Sequence, residues 1–280
     1  LADFCERTIL EFPGDTVDNV SPEPDVVSTE RLEDTRSKPL IRTILMLAFW
    51  AIAMPIAALI AFPWTFLTGN ISFLYRSFTW GALTGVRIAG VKVEIRGQEK
   101  LDPKQSYIFM SNHASNLDPP ILVPVIPGRT SVMAKKELFR YPILGRAMRM
   151  GSIVPVDRAN RDAGIAAVRD AAEVLRSGIH MTIFVEGMRS FDGRLLPFKK
   201  GPFYLAMESG MPVVPVTING THQIMPKRRF SIQPGTATVI FHHPIWPAEF
   251  NDRDALMARV RDVINSALPP QYQEQPTGNS

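Results

Sequence analysis

Residues 106–120, SYIFMSNHASNLDPP, run from a strand-like apolar stretch straight into a polar loop closed by two prolines. A histidine and an aspartate, His113 and Asp118, stand five positions apart in that loop. In an unbroken helix five residues turn roughly 500°, which leaves two such side chains about 140° apart and unable to touch. They meet only where the chain turns. Pro119 disfavours helical backbone at the residue before it, and Asn112, Ser115 and Asn116 are turn formers that bond to nearby backbone. Such a loop can bring Asp118 back onto His113, the carboxylate accepting one ring N–H and leaving the other nitrogen as a base. The competing reading has Asp118 capping a helix that begins at Pro119, with His113 a solvated loop residue.

Further strand-length runs rich in β-branched and aromatic residues surround this one: VKVEIR (91–96), SVMAK (131–135), SIVPV (152–156), HMTIFV (180–185), PVVPVTI (212–218) and ATVIFHH (237–243). Helical segments fall between them. RDAGIAAVRDAAEVLRSG (161–178) repeats Ile165, Val168, Ala172 and Leu175 at helical spacing, with Gly178 placed to stop it. GPFYLAMESG (201–210) opens with a proline and closes on a glycine, and DRDALMARVRDVINSAL (252–268) is amphipathic. This alternation predicts an α/β domain over residues 91–268, a mixed central sheet flanked by helices, with catalytic groups on loops at strand ends. Residues 269–280, PPQYQEQPTGNS, read as a disordered tail.

Upstream, no charged residue occurs between Arg42 and Arg76, and residues 43–67 are predominantly apolar, enough to cross the roughly 30 Å hydrocarbon layer. This part of the chain is expected in a membrane. The segment before it is acidic where a cleaved signal peptide would be short and basic. ISFLYRSFTWGALTGVRIAG (71–90) carries Arg76 and Arg87 and reads as a hairpin partner in the headgroup region, with Tyr75 and Trp80 at the boundary and Gly81 and Gly85 allowing close packing. The expected organisation is an acidic, flexible leader (1–38) and a membrane-embedded helical hairpin (39–90) ahead of the α/β domain. Flanking Lys38, Arg42, Arg76 and Arg87 favour the cytoplasmic side for that domain.

Residues 1–38 hold ten acidic and four basic side chains, a balance of −6, so the rest of the chain carries +10 of the net +4. A basic working part suits phosphate-bearing partners. The single cysteine, Cys5, excludes a disulfide framework, a multi-cysteine zinc site and a thiol nucleophile in the core. Neither H-E-x-x-H nor G-x-S-x-G occurs, so no metal is expected, and a covalent route lacks an obvious nucleophile. His242 and His243, at a strand end, read as structural or solvated. Nucleic acid is not expected as a partner of a chain with such an apolar segment.

Three further segments cluster cations just past strand ends. GSIVPVDR (151–158) ends on Asp157 and Arg158, FVEGMRS (184–190) holds Glu186, Gly187 and Arg189, and RLLPFKKG (194–201) holds Arg194, Lys199 and Lys200. A guanidinium fork grips two phosphate oxygens at once, and a glycine lets backbone N–H groups approach.

The order NHASNLD, GSIVPVDR, FVEGMRS, VVPV resembles the four sequence blocks of the membrane glycerolipid acyltransferases, the 1-acylglycerol-3-phosphate acyltransferase family, over roughly residues 90–245. The resemblance implies that His113 and Asp118 are the catalytic pair, and that Arg158, Glu186, Gly187 and Arg189, joined by Lys199, bind the phosphate of the acyl acceptor. It gives Pro215, in VVPV, an acyl-chain or structural role. Val185 and Met188 stand where the family usually has proline and threonine, so a hydroxyl for the acceptor is lost at 188. The implied reaction is direct acyl transfer from acyl-CoA or acyl-carrier protein to the hydroxyl of lysophosphatidate, giving phosphatidate, with no cofactor besides that co-substrate. Alternatives are another acceptor (glycerol 3-phosphate or another lysolipid), a membrane-tethered esterase, or a non-catalytic module for anionic lipids.

Overall fold

Residues Ile108–Ser111 form the central strand of the molecule and send alternate side chains into two separate cores. The computed structural model describes residues 29–156 and 161–274. In chain order the elements are α1 (Thr29–Thr68), α2 (Ser72–Ile88), β1 (Val91–Arg96), β2 (Ile108–Ser111), α3 (Asp118–Val125), β3 (Thr130–Lys135), α4 (Pro142–Met150), β4 (Val154–Val156), α5 (Arg161–Arg176), β5 (His180–Phe184), α6 (Gly201–Ser209), β6 (Val213–Asn219), α7 (Thr221–Ile224), β7 (Gly235–Phe241) and α8 (Arg253–Ser266). Among the described residues seven strands make one sheet in the order β1-β7-β6-β2-β5-β3-β4. Only β6 and β7 pair antiparallel, so the sheet is mixed, as expected. Period-two alternation puts Ile108 and Met110 in one core with Leu175, Phe203, Leu256 and Ile264 of α5, α6 and α8. Phe109 faces the other way, packing with Val86 of α2 and Leu117 and Ile121 at α3. The consequence for function is directional: β2, β3, β4, β5 and β6 run parallel, and their carboxyl ends share one edge. Pro215 lies in β6 beside Met110, buried in the sheet, and its carbonyl accepts from His242 N (3.0 Å).

The first two helices form an antiparallel hairpin turned at residues 69–71. Trp50 of α1 seats its indole against α2, donating Nε1–H to Gly81 O at 3.0 Å. A β-carbon at Gly81 would stand 2.6 Å from Met54 Sδ, and one at Gly85 2.1 Å from Trp50 Nε1. Both glycines therefore set the helix separation, as the small-residue spacing suggested. Valine at Gly85 is expected to destabilise the chain by about 1–3 kcal/mol, because the indole cannot keep both its socket and its hydrogen bond. A thermal midpoint in detergent equal to the parent's would disprove that packing role.

Residues Pro39–Thr68 form a helix long and apolar enough to cross a membrane, and only 11% of its most apolar window is buried. Exposed large apolar side chains crowd this hairpin, from Leu40 to Trp80. The hairpin nonetheless lies along the α/β domain and is held at both ends. Near the start of the apolar stretch of α1, Thr43 Oγ1 accepts from Ile232 N (2.8 Å). Near its end, the Arg146 guanidinium of α4 sits 3.9 Å over the Phe66 ring. Tyr75 of α2 is docked on the α/β domain, its hydroxyl accepting from Thr130 N at 3.2 Å.

Two expected boundaries shift. The helix begins at Thr29, so residues 29–38 belong to α1 and not to a flexible leader; residues 1–28, Cys5 included, lie outside the described residues. Residues 269–274 are ordered: Pro270–Tyr272 form a 3-10 turn, Gln273 bonds to Leu268 O (2.7 Å), and Glu274 forms an ion pair with Arg261 of α8. Contacts of this kind come from tertiary packing, which a polar, proline-rich composition does not reveal.

Candidate active site

The loop after β2 is fastened on both flanks before it presents His113. Toward β6, the buried Asn112 amide donates to Ile218 O (3.0 Å) and accepts from Ile218 N (2.8 Å), and Ser115 Oγ donates to Met225 O (2.8 Å). Toward β5, His113 N donates to Glu186 Oε1 and Ser190 N donates to His113 O, each at 2.8 Å. The histidine ring stacks on Phe184 with centroids 4.3 Å apart.

His113 Nδ1 lies 2.8 Å from Asp118 Oδ2, and the same oxygen accepts from Ala114 N (2.7 Å) and Ser115 N (2.8 Å). Asp118 is fully buried, whereas the imidazole is 16% exposed, leaving Nε2 as the nitrogen for proton transfer. The pair meets by a route different from the expected one. Asp118 opens α3 and is not expelled from helical backbone by Pro119. Three hydrogen bonds to a carboxylate, each worth about 1.5–3 kcal/mol, outweigh the pre-proline preference. Nor does Asp118 cap its helix. A cap serves the N–H groups two and three residues on: Pro120 has none and Ile121 N already donates to Leu117 O (3.1 Å), so the carboxylate is free to turn back on the loop.

Glu186 lies behind the His113 loop. It is 1% exposed, and its oxygens accept from His113 N (2.8 Å) and Leu196 N (2.9 Å). Burial pushes its pKa up to about 7, against the lowering effect of those two N–H groups. Its two oxygens tie the His113 loop to the 194–198 segment. Arg261 of α8 supports that segment in turn, donating to Leu196 O (2.9 Å) with its guanidinium over Phe198.

Gly187 takes φ +71°, turning the chain so that Arg189, half-exposed, comes round next to the loop of His113. A β-carbon at Gly187 would press on Lys199 Cγ at 3.2 Å, so the missing side chain lets the lysine stem cross the turn. Lys199 N donates to Val185 O (2.7 Å), and its side chain is exposed. His113, Asp118, Glu186, Gly187, Arg189 and Lys199 are thus gathered at one sheet edge. Arg158, the remaining residue of the expected set, lies outside the described residues. Sequence reasoning passes over Arg261 and the pairing of Asn112 with Ile218, which no local pattern announces. It also passes over Lys135, which ends β3 at the same edge.

The acyltransferase family pattern matches residues 92–219, which contain this edge. A 1-acyl-sn-glycerol-3-phosphate acyltransferase of Limnanthes alba is 32% identical over 235 residues, covering 82% of this chain and 81% of that protein. The alpha form of that enzyme from Homo sapiens is 32% identical over 176 residues, covering 61% of this chain and 62% of that protein. Among solved structures, the 1-acyl-sn-glycerophosphate (LPA) acyltransferase PlsC from Thermotoga maritima superposes with a TM-score of 0.69 at 27% identity, covering 81% of this chain and 94% of that one. Fold and sequence together define an acyltransferase. The chain belongs to the 1-acyl-sn-glycerol-3-phosphate acyltransferase family.

Proposed function

We propose that this chain moves an acyl group from a thioester donor, acyl-CoA or acyl-carrier protein, onto the free hydroxyl of lysophosphatidate, yielding phosphatidate. The carrying observation is the His113–Asp118 pair, 2.8 Å apart on a braced loop beside the turn of Arg189 and Lys199. His113 Nε2 takes the hydroxyl proton as the oxygen attacks the thioester carbonyl; the C–S bond then breaks and the departing thiolate recovers the proton. Asp118 fixes the ring and supports the imidazolium. Arg189 and Lys199, with Arg158 as a further candidate, hold the acceptor's phosphate. The relatives' names supply the acceptor, and the cationic rim agrees with them.

The hairpin supports attachment to one leaflet. From Thr43 to Phe66 the helix runs roughly 35 Å at 1.5 Å per residue, yet residues at both ends touch the same α/β domain. Crossing the bilayer would drag that polar domain through hydrocarbon. The basic flanks of the hairpin favour the cytoplasmic leaflet.

Thiol release by the purified chain, measured with acyl-CoA and acyl-carrier-protein donors against lysophosphatidate, glycerol 3-phosphate and water alone, tests this reading. Release dependent on lysophosphatidate is expected; equal release without an acceptor would make the protein a thioesterase. Arg189→Ala should raise the acceptor KM by about tenfold or more with kcat little changed, as loss of a phosphate contact does. An unchanged KM would remove Arg189 from the site.

A further inference from the structure

A second feature beside the site is left unused by the reaction. Residues 226–230, Pro-Lys-Arg-Arg-Phe, form a tight turn in which Arg229 N donates to Pro226 O (3.1 Å). Arg228 is held at φ +78°, where glycine is the usual occupant. Lys227 Nζ donates to Arg189 O (2.8 Å) and lies 3.5 Å over the Phe191 ring, with the Arg228 guanidinium 5.2 Å from the same ring. Phe191 is 57% exposed and Phe230 86%. No acidic residue occurs between Glu208 and Glu249, so nothing in this stretch neutralises the three cations. Two residues on, the buried Ile232 fastens the turn to Thr43, in the part of α1 where Leu40, Ile41 and Ile44 are exposed.

We propose that the Lys227–Phe230 turn, with Phe191, is a second membrane contact, in which its cations engage anionic headgroups and Phe230 enters the acyl boundary. Cations flanking an exposed aromatic, continuous with an apolar helix, are the chemistry of an anionic leaflet surface. Arginine at a glycine position is then explained: the strained backbone aims a guanidinium outward beside Phe191. The contact also sets the mouth of the site, through Arg189, against the leaflet.

The test uses the full chain reconstituted in vesicles of phosphatidylcholine alone or with roughly 30 mol% phosphatidylglycerol, which raises the surface potential the turn would sense. Phe230→Cys in a Cys5→Ser background carries an environment-sensitive fluorophore. Blue-shifted emission is expected, stronger with phosphatidylglycerol and weakened by salt. Unshifted emission in both vesicles overturns the proposal. So does a shift seen only when an acidic acyl-carrier protein is added, which assigns the turn to that partner. Arg228→Gly supplies a variant that relaxes the backbone: its thermal midpoint should equal or exceed the parent's. Its turnover should match the parent in neutral detergent and fall roughly fivefold on the anionic vesicles, one cation's worth of attraction. Equal turnover on those vesicles counts against the patch. The fluorescence arm needs no catalysis, so it stands apart from the assignment of the reaction.

Discussion

Replacing His113 by alanine is expected to slow acyl transfer by about 10²–10⁴-fold while the protein still folds and binds vesicles. Its structural bonds are made by its backbone, to Glu186 and from Ser190, and survive the substitution. What is removed is a ring 16% exposed, stacked on Phe184 and bonded to Asp118. The loss should fall on kcat with little change in acceptor KM, since phosphate binding is assigned elsewhere. Asp118→Asn should come close to it, because an amide cannot accept from His113, Ala114 and Ser115 and also leave no N–H stranded in a fully buried site. Thiol-release kinetics of both variants check this. A rate within tenfold of the parent for His113→Ala would remove the general base from the mechanism.

Glutamine at Glu186 is expected to cost roughly 10²-fold in kcat, the scale of a displaced catalytic group. The amide accepts from one of the two N–H groups, His113 or Leu196, and sets its own N–H₂ against the other. The same variant has a signature in pH. Glu186, raised from 4.5 to about 7, binds its proton more tightly folded than unfolded, so its contribution to stability is complete below 4.5 and is lost as pH rises to 7. His242, lowered by burial from 6.5 to about 4, does the reverse: its contribution is complete above 6.5 and is lost as pH falls to 4. Across the shared window the two contributions oppose each other. With Glu186→Gln the His242 slope is left uncovered, so the thermal midpoint should drop on acidification from pH 6.5 to 4.5 more steeply than the parent's. Parallel curves for the two proteins would mean that Glu186 does not titrate in that window.

The strand runs were legible because buried strands need β-branched and aromatic residues in short unbroken stretches; each such run from 91 to 243 contributes a strand. The meeting of His113 with Asp118 was legible too, since the spacing forbids a helix and the residues between favour a turn. The means were not. Helix α3 has three prolines in eight residues, a composition that propensity assigns to loop, and it persists because Ile121, Leu122 and Val125 are buried on the sheet. The bracing contacts of Glu186 were not legible for a different reason: a sequence gives the charge and its neighbours, but not where two oxygens point. That the carboxylate is buried between His113 N and Leu196 N is seen only in the fold. The order in residues 269–274 rests on Arg261 and Leu268, far from any local signal.

A hairpin fastened to its domain at Thr43 and again at Phe66 has a consequence for how a bilayer grows. With the one-leaflet attachment proposed above, lysolipid would be drawn from, and diacyl product returned to, a single monolayer, so each turnover would add one chain's cross-section to that sheet alone. The resulting area mismatch accumulates with synthesis, and relieving it falls to machinery that carries lipids across to the opposite face.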